Sequence, residues 1–140
     1  MEVDIRSLGA GDEQAVIAAG ELFDDPPDPG ATRRFLAERT HHLLVAYAGD
    51  RPVGFVSGVE TTHPDKGTEM FLYELGVDEP ARRRGVGRAL VAALAQVARE
   101  RGCYGMWTGT EAGNEAALAT YASAGATASP GTVILDWKLG

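Results

Sequence analysis

The sequence predicts a mixed α/β (α+β) sheet fold in one domain, residues 1–140, and three observations carry that reading. Strand-period and helix-period segments intermix along the chain in the order β-α-α-β-β-β-α-β-α-β. The middle strands are joined by tight-turn residues rather than by helices, which makes them antiparallel neighbours. A length of 140 residues, 44% apolar and 24% charged, fits a single hydrophobic core.

Each element has its own signal. In EVDIRSL, residues 2–8, Val3, Ile5 and Ser7 alternate onto one face of a first strand. After the GAGD turn, Asp12 is placed to cap a helix reaching about Phe23. Three prolines in DDPPDP, residues 24–29, exclude a helix and leave an acidic loop. Thr32 to Thr40 reads as a second helix with Phe35 and Leu36 inward. Two apolar runs then flank Gly49 and Asp50, a hairpin signature. TTHPDKG reads as a polar, mobile loop, and EMFLYELGV as a central strand apolar on both faces. Gly76 near its end marks a bulge or a close backbone approach. Val86 to Arg101 is helical, with Leu90, Val91, Leu94, Val97 and Ala98 in one stripe and Gly102 as its stop. CYGMWTGT is a further strand, and Asn114 caps a helix that runs to about Ala124 and ends at Gly125. TVILDWKL, residues 132–139, reads as a last strand with Val133, Leu135 and Trp137 on one side.

Charge narrows the function. The net charge is −7 and the pI about 4.9, which excludes the broad basic footprint of nucleic-acid or anionic-membrane binding. The start of the chain lacks a basic-then-apolar signal pattern, and no apolar run approaches the ~20 residues of a membrane span, so the expected location is the cytoplasm. The single cysteine, Cys103, reads as a small core residue. His41, His42 and His63 have no second ligand at metal spacing, and no metal is expected.

Against that acidic background, DEPARRRGVGRAL at 78–90 stands out: Arg82, Arg83, Arg84 and Arg88 with Gly85 and Gly87. It joins a buried strand to an amphipathic helix. The first amides of a helix have no intrahelical partner and, with the macrodipole, attract anions. Glycines let a ligand approach the backbone, and arginines pair with phosphate oxygens. On the residues alone, phosphate binding and a solvated helix start stand level. RRRGVG resembles the [QR]-x-x-G-x-[GA] motif of the GCN5-related N-acetyltransferases. The preceding LYELGV resembles that family's strand before the motif. Asn114, Ala117, Tyr121 and Gly125 resemble its later N-x-x-A-x-x-x-Y-x-x-x-G helix.

The resemblance implies a mostly antiparallel central sheet, splayed between its fourth and fifth strands and flanked by helices. It implies acetyl-CoA as co-substrate. The diphosphate would lie on Arg82, Arg83, Arg84, Gly85, Val86, Gly87 and Arg88, and the pantetheine arm along Leu75, Gly76 and Val77, with Asn114 an N-cap, a pantetheine contact or both. A backbone donor near Leu75 would stabilise negative charge on the thioester oxygen.

Acetyl transfer to an amine needs a base, since an alkylamine near pKa ~10.4 arrives protonated. It is also helped by an acid for the thiolate. Glu74 is the candidate base; alternation places it with Met70, Leu72 and Gly76. Tyr121, at the position where the family commonly protonates coenzyme A, is the candidate acid. Within the family the segment 71–87, the YASAGA helix and the short acidic chain look most like the aminoglycoside 3-N-acetyltransferases. Carboxylates around a cleft suit a polycationic substrate, and Asp24, Asp25, Asp28, Glu111 and Asp136, with Glu60, are the candidates. Direct transfer in a ternary complex is expected, and the resemblance implies a homodimer; the apolar residues of the last strand, with Trp137, read either as a dimer contact or as core. The alternatives are another small amine, a protein N-terminus, or a non-catalytic acyl-CoA sensor.

Overall fold

The structure is a computed structural model that describes residues 1–140. Its elements are β1 (Asp4–Leu8), α1 (Glu13–Ala18), α2 (Pro29–Ala37), β2 (His41–Ala48), β3 (Arg51–His63), β4 (Gly67–Val77), α3 (Val86–Glu100), β5 (Met106–Trp107) and α4 (Glu115–Ser123). Short 3-10 turns lie at Gly20–Leu22 and Glu79–Ala81. The sheet order is β1-β2-β3-β4-β5. All pairs are antiparallel except β4–β5, which α3 connects as a parallel crossover.

A core lies on each face of the sheet. On one, Leu90, Val91, Leu94 and Ala98 of α3 meet Val56, Met70 and Leu72. This is the stripe read from the sequence, and burying each leucine contributes about 1.5–3 kcal/mol. Gly58 of β3 makes the approach possible: a Cβ there would fall 2.9 Å from both Leu94 Cδ1 and Met70 Sδ. On the other face, Val16 of α1 and Leu36 of α2 pack with Val45, Tyr47 and Phe55.

Several boundaries differ from expectation. The first helix stops at Ala18, because Gly20 opens the 3-10 turn. Asp12 bonds backwards to the Gly9 N–H at 2.8 Å instead of capping that helix. The second helix starts at Pro29 rather than Thr32, because Asp28 accepts the Ala31 N–H at 2.7 Å and proline suits the first helical turn. TTHPDKG is no mobile loop. Thr61 to His63 continue β3 and pair with Gly67 to Glu69, leaving only Pro64 to Lys66 as the turn. The last predicted strand, 132–139, belongs to no sheet, and its side chains are exposed.

One irregularity decides the site. The β3–β4 register shifts between Ser57 and Gly58: Leu72 opposes Gly58 and Glu74 opposes Ser57, so Tyr73 is an extra residue. Leu72 and Leu75, three apart, therefore both face α3. Glu74 consequently does not share a face with Met70 and Leu72. It lies with Gly76 on the α1–α2 side, where a Cβ on Gly76 would stand 2.7 Å from the Phe55 ring and 3.3 Å from the Leu22 carbonyl. Of the two readings of Gly76, close approach is the one realised; the bulge is at Tyr73.

Candidate active site

β4 and β5 pair only at Met70–Met106 and Phe71–Trp107. The last tie is the Thr108 hydroxyl, which donates to the Leu72 carbonyl at 2.8 Å. From Tyr73 to Val77 the edge of β4 is open, as the expected splay requires. The Asp78 N–H donates to Val53 O at 2.8 Å. Period-two alternation then turns the main-chain groups of Gly76 and Glu74 toward β3, and those of Leu75 and Val77 toward the open slot. The Arg82 Nε donates to the Val77 carbonyl at 3.0 Å, and the Arg82 N–H to Glu79 O at 3.1 Å. Arg82 thus holds the end of the strand with its side chain and closes the following 3-10 turn with its amide.

After it the chain turns sharply. Arg83 has φ 64° and is the only non-glycine residue with positive φ; Gly85, the N-cap of α3, has φ 82°. The N–H groups of Arg83, Arg84, Gly85, Val86, Gly87 and Arg88 donate to no backbone carbonyl. They form a concave run of free donors at the positive end of a fifteen-residue helix. A Cβ on Gly87 would lie 3.1 Å from Thr120 Cγ2, 3.7 Å from Val77 and 3.8 Å from Leu75. The start of α3, the side of α4 and the open edge of β4 therefore converge on one point.

Two titratable groups flank the slot. Burial pushes the Glu74 carboxyl up, and the like charge of Asp24 adds to it. Beside Glu74 on β3, Ser57 is 5% exposed and its Oγ has no hydrogen-bond partner. On the opposite face of β4, Tyr121 packs against the α3 core. Burial pushes its phenol up, offset in part by the Thr108 hydroxyl beside it. A carboxylate on one side of an open strand and a phenol on the other suit a reaction with an attacking group entering from one face and a leaving group departing on the other.

Asp24 comes close enough to act on Glu74, with Asp25 next to it in sequence, because the Phe23 ring packs tilted against Phe55 at 4.6 Å and brings the acidic loop there. Asp28 is engaged as the α2 cap, and Asn114 as the α4 cap, accepting the Ala117 N–H at 3.1 Å. Glu111 is exposed in the turn before α4. Asp136 lies in the unpaired C-terminal segment, not at a strand end over the cleft. Glu60 sits at the far end of β3, bound by His42 at 2.6 Å and Arg101 at 2.8 Å. Burial pushes the Cys103 thiol up, in keeping with a core residue. The hollow lined by Glu13, Gln14, Ile17, Thr32 and Arg33 lies between α1 and α2 and holds none of the slot residues. Sequence reasoning missed Ser57 and Thr108. A serine inside the apolar run GFVSGV was a visible signal for the first; the second carried none.

Residues 11–126 match the model of the acetyltransferase (GNAT) family. Over 107 residues the chain is 35% identical to the N-alpha-acetyltransferase RimI of Mycobacterium tuberculosis, an alignment covering 75% of this chain and 65% of that relative, so the chain spans less than two thirds of its length. An aminoglycoside acetyltransferase from an uncultured soil metagenomic sample, solved in complex with sisomicin, superposes with a TM-score of 0.90 at 22% identity over 99% of this chain and 97% of that one. An aminoglycoside N-acetyltransferase solved with CoA gives a TM-score of 0.81 at 19% identity, covering 99% and 96%. The extent of the family match, with the fold shared with these structures, establishes that the chain belongs to the acetyltransferase (GNAT) family.

Proposed function

We propose that the protein is an acetyl-CoA-dependent N-acetyltransferase acting on an aminoglycoside amine by direct transfer in a ternary complex. The observation that carries this is the slot itself: free amides from Arg83 to Arg88 beside an open β4 edge, with Glu74 and Tyr121 on its two faces. The free amides, Gly85 and Gly87, with the arginine side chains, hold the diphosphate. The arm follows Leu75, Gly76 and Val77 with Asn114 at its margin. Arg82 contributes its side-chain charge while its amide keeps the 3-10 turn closed. The co-substrate supplies an activated acetyl group as a thioester. The Leu75 N–H is the donor to its carbonyl oxygen, where negative charge develops.

Glu74 takes the proton of the incoming ammonium, directly or through a water held by the Ser57 hydroxyl. Tyr121 gives a proton to the departing sulfur. Asp24 and Asp25 attract a polycationic acceptor at the Glu74 face, with Glu111 on the side of α4. The net charge of −7 and the sisomicin-bound neighbour support an aminoglycoside, and the sequence resemblance of segment 71–87 favours the 3-amino group. A second reading, a peptide N-terminus as acceptor, is favoured by the 35% identity to an N-alpha-acetyltransferase.

Thiol release measured with sisomicin, spermidine and an alanyl peptide tests both. Turnover with sisomicin, with the product's position read by NMR, is the expected result. Reaction with the peptide alone selects the second reading, and no turnover with any amine leaves a CoA-binding module. Calorimetry with coenzyme A tests the cradle separately, since absence of binding removes the whole assignment.

A further inference from the structure

We infer that Phe71, Tyr73 and Trp107 form an aromatic shelf that holds a second ammonium of the acceptor, remote from the amine that reacts at Glu74, by cation–π contact. The inference rests on the acetyltransferase reading and narrows its acceptor to an amine carrying more than one positive charge. The three rings belong to one surface. Met70 and Leu72 face α3, so alternation turns Phe71 to the other face of the sheet, the face of Ser57 and Glu74. Met106 packs against the same α3 core, so Trp107 follows Phe71, and their ring centroids stand 4.4 Å apart. The extra residue in the β3–β4 register adds the third ring. Tyr73 and Glu74 together oppose Ser57, and the Tyr73 ring meets Phe71 at 5.6 Å, which places it on that face too. The irregularity that turns Glu74 to this face thus also sets an aromatic ring beside it.

The shelf is left open. The apolar core on this face takes in no side chain of β4 or β5. Tyr73 is 64% and Trp107 51% exposed. The one cation–π contact within the molecule is Arg6 over Tyr47, so no arginine or lysine of the chain fills these ring faces. Three adjoining rings are more than the scattered apolar exposure of an ordinary surface. Aromatic faces carry negative charge density and attract a cation whose centre comes within ~6 Å. The carboxylates at one end of the shelf add to that attraction: Glu74 adjoins Tyr73, and Asp24 acts on Glu74. Rings beside carboxylates suit a cation with apolar ring faces and disfavour an anionic guest. At ~3.3 Å per residue, Phe71 and Trp107 stand about 10 Å along the strand from Glu74. One amine meets the base while another lies over the rings, a spread of charge that a polycationic aminoglycoside has and a single terminal ammonium lacks.

Sisomicin is the probe, and steady-state kinetics with calorimetric binding is the test. Tyr73→Leu combined with Trp107→Leu keeps apolar bulk and removes the ring faces. The pair should raise KM and the dissociation constant for sisomicin about tenfold, with kcat changed less than about twofold and coenzyme A affinity unaltered. Tyr73→Phe combined with Trp107→Phe keeps the rings and should hold KM within about twofold of wild type.

A folded leucine pair with the wild-type KM and dissociation constant overturns the inference. So does a Trp107 that acrylamide fails to quench in the free protein, because the segment 132–139 or another chain then occupies the shelf. If the leucine pair fails to fold, fluorescence decides. With Trp137→Phe, Trp107 is the only tryptophan left, and saturating sisomicin should alter its emission; unaltered emission overturns the inference. A wild type that binds sisomicin without acetylating it refutes the acceptor reading, and the shelf is then judged on the dissociation constants alone. A wild type that binds no sisomicin refutes both.

Discussion

Glu60 and Glu74 lie on the same β3–β4 hairpin, Glu60 opposite Met70 and Glu74 opposite Ser57, and the molecule treats them oppositely. Burial pushes the Glu60 carboxyl up, but hydrogen bonds from Arg101 and His42 outweigh it and hold the group below the usual range. Glu74 is also raised by burial, and the only charge acting on it, Asp24, raises it further. Side-chain type is identical, and both lie in the paired part of the hairpin, though on opposite faces of the sheet. The partners differ. A carboxylate with two donors is satisfied as an anion, whereas one lacking a cation at an open slot gains by taking up a proton.

The sharpest break of this comparison is Glu74→Gln. It should lower kcat by roughly 10²-fold or more while the affinity for coenzyme A, measured by calorimetry, stays unchanged. In wild type the acid limb of kcat/KM should lie above the ordinary glutamate value of 4.5. Activity rises as pH climbs through the raised pKa, because the carboxylate is the working form. Asp24→Asn removes the like charge and should move that limb to lower pH. A limb that stays in place after both substitutions belongs to the amine substrate instead.

Glu60 predicts stability rather than turnover. Glu60→Gln removes an anion that is 6% exposed and accepts two charged hydrogen bonds, and should cost about 1–3 kcal/mol. That corresponds to roughly 3–10 °C in Tm for a chain of this size. Because the folded pKa of Glu60 is depressed, its contribution is full above the ordinary value of 4.5 and is lost as pH falls through the folded pKa. Melting curves of wild type and variant should therefore converge in acid, with kcat little changed.

Much of this contrast could not be read from sequence. Element order, the α3 stripe and the arginine–glycine junction were legible, because periodicity and special backbone residues are local signals. The face of Glu74 was not. Strict alternation put it with Met70 and Leu72, and only the extra residue at Tyr73, fixed by pairing with β3, turns it toward Asp24. Glu60 looked like another cleft carboxylate, because its partners come from 18 residues before it and 41 after it. The last strand expected over 132–139 is not formed: the segment has strand periodicity but no partner, and pairing is a property of the sheet edge and not of the segment.

Tyr121→Phe should act less strongly than Glu74→Gln. A leaving thiol with a pKa near ~8.5 departs tolerably as thiolate, so loss of the acid should cost about tenfold in kcat. The phenol is raised above its ordinary 10.0, so Tyr121 stays protonated across the neutral range, as the proposed acid role requires. The alkaline limb that reports it should vanish in the variant. A variant with the wild-type rate and limb would place Tyr121 in the core only.

The smallest effect, and the finest test of what distinguishes the two carboxylates, is expected at Ser57. No hydroxyl is orphaned beside Glu60, whereas beside Glu74 one is buried with its hydrogen-bonding capacity unused. Such a hydroxyl costs about 1–3 kcal/mol when nothing occupies it. Ser57→Ala should therefore leave stability unchanged or slightly raise it, by thermal melting. It should lower kcat about 3–10-fold, with coenzyme A affinity unaltered, if a water relays the proton to Glu74 as proposed and Ser57 is one of its holders. Added to Glu74→Gln, the same substitution should do nothing further to turnover, because a relay with no base to serve carries no proton. Independent, multiplying effects in the double variant would show that Ser57 acts on the fold and not through Glu74.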